Sequence, residues 1–93
     1  MKLFGKKEVF ILGMKIKITY FDSSCRADNT MGRSDEKNGI ISLCKDMPND
    51  VAEQTLLHEC IHLISDNVAA GLTEKQVTAI SAGLYSFIKE NKL

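Results

Sequence analysis

Neither sign of charge prevails in this chain: twelve basic residues balance twelve acidic ones across 93 positions. Without net charge there is no global electrostatic case for nucleic acid, and none is expected as a partner. Long apolar runs are missing as well. The run Val9–Met14 has six residues and is closed by Lys15, too short for a signal core or a membrane span. Cysteine is sparse and odd in number, with Cys25, Cys44 and Cys60 far apart. That is a poor disulfide framework, so all three are expected to be buried thiols acting as small hydrophobes in a reducing cytoplasm. Internal repeats, low-complexity tracts and linkers are also lacking, and residues 1–93 are read as one domain.

What is present divides into two halves. In 14–20, MKIKITY, the residues Ile16, Ile18 and Tyr20 alternate with Lys15, Lys17 and Thr19, the period of a half-buried strand. With EVFIL at 8–12 it predicts a hairpin turning near Gly13-Met14. Residues 21–30 are polar and turn-rich and read as a loop. A short strand near 31–34 and a better one at 39–44, GIISLC, follow, joined by the turn chemistry of DEKNG. Pro48-Asn49-Asp50 marks the boundary to helices. Asp50 with Glu53 fits a capping box for a helix over about 51–65, and Thr73 with Gln76 fits one for a helix over about 74–90. The second helix carries the apolar stripe Val77, Ile80, Leu84, Phe87 and Ile88. The expected fold is α+β, a small N-terminal antiparallel sheet followed by two packed helices.

The only two histidines, His58 and His62, lie in LLHECIHLI, 56–64, inside the first helix. Burying two imidazoles and a carboxylate there costs free energy unless each finds a partner. Residues four apart stack on one helix face with Cβ atoms about 5–6 Å apart, so the two rings can converge on one metal ion. Glu59 points to one side, near enough to take a proton from water on that metal without being a ligand. This HExxH arrangement binds Zn2+ and uses the glutamate as general base. The bland alternative is a histidine pair satisfied by other protein groups, with Glu59 at the surface. Catalytic zinc usually has three protein ligands, and with no further histidine the third must be acidic or a thiolate. Glu74, in the first turn of the second helix, is the first choice. Asp66 is the second, better suited as an outer partner that fixes an imidazole tautomer. Cys60 should point into the core and leave the metal alone.

The segments GRSDEKNGIISL, EQTLLHECIHLI and LTEKQVTAISAGLYSFIKEN together resemble small phage and prophage proteins related to the ImmA/IrrE metallopeptidases. The resemblance implies a minimal zincin-like fold in which His58 and His62 are zinc ligands, Glu59 the catalytic base and Glu74 the acidic ligand. Related tails often carry an acidic residue about one turn beyond Glu74, where this chain has Thr78. It further implies a cytoplasmic protein or peptide substrate in a phage host. Strand 39–44 is expected to receive that substrate by strand addition, and Tyr85 and Arg33 are oxyanion candidates by chemical type. The competing class is a phage protein that keeps the zinc and occupies a host partner without cleaving it.

Overall fold

The computed structural model describes residues 5–21 and 31–93. The expected loop at 22–30, and Cys25 within it, lie outside the described residues. Four strands, β1 (Glu8–Ile11), β2 (Met14–Phe21), β3 (Gly32–Asp35) and β4 (Ile40–Cys44), precede two helices, α1 (Asn49–Asn67) and α2 (Glu74–Glu90). The α+β class and the order of sheet before helices are as expected.

β1 and β2 form the anticipated hairpin, with Ile11 opposite Met14. The two turn residues are Leu12 and Gly13, at φ of 51° and 78°. Positive φ at both central positions matches the strand twist, and glycine accepts it without the steric cost that Leu12 bears. The sheet is mixed, a correction to the antiparallel expectation. Its order is β1-β2-β4-β3, and β4 runs parallel to β2 while pairing antiparallel with β3. Burial explains the exchange of places. Ile41 and Leu43 of β4 are completely buried, whereas GRSD of β3 is polar and suits an edge. Strand 39–44 is therefore interior. Both its edges are already paired, which removes it as the strand that receives a substrate.

Alternation in β1, β2 and β4 sends Ile11, Ile16, Ile18, Ile41 and Leu43 to one face, where Leu56 and Leu63 of α1 cover them. α2 packs chiefly on α1. Only one seam of α2 can be buried in that arrangement, and it is Val77, Ser81 and Tyr85. Ile80, Leu84 and Phe87 of the expected stripe stay 43%, 39% and 55% exposed. The rotation follows polar contacts with α1, which place Glu74 on the histidines and Tyr85 on Glu53.

Two further expectations fail. Glu53 does not cap α1; it is buried and accepts a hydrogen bond from the Tyr85 hydroxyl at 3.0 Å, while Pro48 holds the N-cap without a side-chain bond. Cys44 is disulfide-bonded, so the cysteines are not all thiols. Cys60 keeps its free thiol and packs against the core, where burial pushes its pKa up to about 11. No helix among the described residues is long and apolar enough to cross a membrane.

Candidate metal centre

His58 and His62 lie on successive turns of α1, on the flank that the start of α2 covers. Their rings meet edge to face with centroids 4.8 Å apart, and their Nε2 atoms are 3.2 Å apart. Two zinc-ligand nitrogens at about 2.0–2.1 Å in tetrahedral geometry stand roughly 3.3–3.4 Å from each other. The pair is thus spaced for one ion. Both side chains are partly buried, 18% and 25% exposed, which limits their rotamers.

Local chemistry brings Glu74 to them. Ala70 N–H donates to Ser65 O at 2.9 Å, and Leu72 N–H donates to Ser65 Oγ at 3.0 Å, which folds the connection back over the end of α1. The Thr73–Gln76 capping box then fixes where α2 begins: Gln76 N–H donates to Thr73 Oγ1 at 3.1 Å, and Thr73 N–H to Gln76 Oε1 at 2.9 Å. Glu74 follows at the first helical position, where the helix dipole also favours an anion. Its Oε1 is 2.7 Å from His58 Nε2 and its Oε2 is 2.7 Å from His62 Nε2. Burial raises the Glu74 pKa, but the two imidazoles outweigh it and hold the carboxyl below its ordinary value. The three residues offer ligand atoms that all lie within 4.8 Å of one another. Two imidazoles with one carboxylate, the carboxylate 70% exposed, make a donor set that suits Zn2+ and leaves the outer side open.

Glu59 stands apart from this set. It is only 8% exposed and turns toward the inner face of β3, where the Ser34 hydroxyl favours its charged form. Burial pushes its carboxyl above the ordinary value, against the pull of His58, His62 and Ser34. Its carboxyl thus lies beside the three candidate ligands without joining them. A cavity of about 510 Å3 opens beside His58, Glu59 and Glu74 and runs between the N-terminal half of α1, α2 and the start of β3.

The remaining sequence candidates fall elsewhere. Asp66 is exposed and borders a different cavity with Arg33, Asp35 and Ser42, so it does not join the histidines. Arg33 stacks over Phe21 at 5.7 Å, and Tyr85 is engaged with Glu53, so neither is placed as an oxyanion donor. Thr78 lines the cavity but is not among the ligand groups. Residue-by-residue reading missed Ser34 and Gly32. The signal that finds them is period two: both are on the inner face of β3, opposite Ile41 and Leu43. Gly32 allows that strand to approach α1, since a Cβ there would sit 2.7 Å from Thr55 Cγ2 and 3.4 Å from Glu59 Cγ.

No protein-family model, curated protein or solved structure matches this chain.

Proposed function

We propose that the chain is a minimal zinc metallopeptidase, similar to the ImmA/IrrE group, that hydrolyses a protein or peptide substrate. One observation carries the reading: Glu74 arrives from a second helix on His58 and His62, while Glu59 remains beside them, buried and unligated. Bound there, Zn2+ would polarise a scissile carbonyl and bring the pKa of water to about 7. His58, His62 and Glu74 would hold the ion. Glu59, beside the ligands but not among them, takes the proton from the attacking water and passes it to the leaving amine nitrogen. β3, as the polar edge strand beside α1, replaces strand 39–44 as the support for an extended substrate.

Glu59→Gln tests the reading. The variant should keep the fold and hold about one zinc per chain with affinity within a few-fold of the parent, while hydrolysis of unfolded protein substrates disappears. Hydrolysis at the parent rate would remove Glu59 as base and the mechanism with it.

A second reading has its own support. Ile80, Leu84 and Phe87 form an exposed apolar flank on α2, which suits a phage protein that holds a host partner and uses zinc for structure. Zinc binding without hydrolysis in parent and variant alike would favour it. As to setting, the family resemblance points to the host cytoplasm, whereas the disulfide at Cys44 suits an oxidising compartment. Counting thiols after rapid acid quenching of cells decides: three free thiols per chain for the cytoplasm, fewer for an oxidising compartment.

A further inference from the structure

The cavity beside the metal ligands has walls of a distinct chemistry. Beyond His58, Glu59 and Glu74, its polar lining is Gln54, Thr55, Thr78 and Ser81, with Met31 and Val51 supplying apolar surface. No lysine, arginine or aspartate lines it among the described residues. Ser81 decides the character of the inner end. It is 1% exposed, and its hydroxyl donates to Thr78 O at 3.0 Å, so it presents no free donor to the cavity. Thr55 likewise spends its proton on Val51 O at 2.7 Å. The Gln54 amide contributes both donors and an acceptor. At about 510 Å3 the space is ample for one side chain.

We propose that this cavity is a side-chain subsite for an uncharged, hydrogen-bonding residue, with glutamine or asparagine the best fit, next to the bond that the metal centre acts on. The position next to a reacting bond rests on the metallopeptidase reading; the side-chain preference rests on the walls alone. An apolar side chain would displace water from Thr78 and Gln54 without replacing its hydrogen bonds. A charged one would give up its hydration among hydroxyls and an amide, because the only carboxylates present belong to the metal centre. An amide supplies two donors for the acceptor oxygens and accepts from Gln54.

The test uses peptide hydroxamates, whose metal-binding end is constant while the adjacent side chain is Gln, Leu, Glu or Lys. Binding to the zinc-loaded protein is read by calorimetry, without any need for turnover. The glutamine compound is expected to bind about tenfold more tightly than the other three. Gln54→Met should cut that advantage to about threefold, and Thr78→Val, at an exposed position, checks the wall without disturbing the core. Equal or tighter binding of the Leu, Glu or Lys compound would overturn the subsite, as would an advantage that survives both substitutions. A glutamine preference without cleavage of a glutamine-bearing peptide would uphold the subsite and remove the peptidase reading. Failure to take up zinc would overturn the metal reading and the placement beside a reacting bond, whereas the side-chain preference is overturned only by the ranking of the compounds.

Discussion

At one end of the α1–α2 seam Glu53 reaches from α1 to the phenol of Tyr85; at the other, Glu74 reaches from α2 to His58 and His62. Both contacts join a carboxylate to a polar ring across the same pair of helices. Glu53 and Tyr85 are 5% and 8% exposed, and their contact is closed to water. The Glu74 side chain is 70% exposed and meets two nitrogens spaced like ligands of one ion. A buried polar pair stabilises by being satisfied, whereas an exposed carboxylate gains little from an ion pair in water. Local stability therefore accounts for the first contact. It accounts poorly for the second, and that contrast is what supports the proposed metal centre.

The sharpest way to break this contrast is to exchange the roles. Glu74→Gln should weaken zinc binding by more than about 100-fold, beyond the range typical of outer-sphere changes. Asp66→Asn should leave it within about twofold, since Asp66 borders another cavity. A competition titration with a chromophoric chelator measures both. If Glu53→Gln weakened zinc as much as Glu74→Gln, the two ends of the seam would not be separate devices. If Asp66→Asn had the larger effect, the third ligand would lie at the end of α1.

The legible parts of this molecule are those encoded within a few residues. The spacing of His58, Glu59 and His62 needs only the helical repeat, and the Thr73–Gln76 box sets the start of α2 and so the position of Glu74. The illegible parts depend on competition between distant segments. Alternation identifies β4 as a strand but not its seat between β2 and β3, which depends on its greater apolar burial than GRSD. Asp50 and Glu53 have the spacing of a capping box, yet Tyr85 claims Glu53 from 32 residues away. The α2 stripe fails for the same reason. Ile80, Leu84 and Phe87 are more apolar than Ser81, but rotation is fixed by contacts that Glu74 and Tyr85 make with α1.

Packing of β3 gives a smaller effect. A Cβ at Gly32 meets Thr55 Cγ2 at 2.7 Å, and Thr55 is β-branched and held by its own hydrogen bond to Val51 O. Gly32→Ala should destabilise the fold by about 1–3 kcal/mol through overpacking, measured by urea unfolding. Adding Thr55→Ser removes the obstructing methyl and should recover at least half of the loss. Zinc affinity should hardly change, because all three proposed ligands are on helices. A large loss of zinc binding would tie the metal centre to the sheet and blur the distinction between the open and closed contacts.

The smallest effect belongs to the closed contact itself. Tyr85→Phe removes the donor at 3.0 Å from Glu53 and should cost about 1–2 kcal/mol, with zinc affinity within about twofold of the parent. Its pH dependence has a defined sign. Burial, and then the hydrogen bond to Glu53, push the Tyr85 phenol up to about 12 from its ordinary value near 10. A folded-state pKa raised in this way means that the protonated phenol contributes fully below pH about 10. As pH rises from there toward 12, the unfolded chain loses its phenolic proton first, and the contribution fades. The stability gap between parent and Tyr85→Phe should thus be flat from neutral pH to about 10 and then narrow, as followed by urea unfolding at each pH. A gap that widens with rising pH would mean that the phenolate form is the one the fold prefers, and that Glu53 does not face the phenol as a charged acceptor.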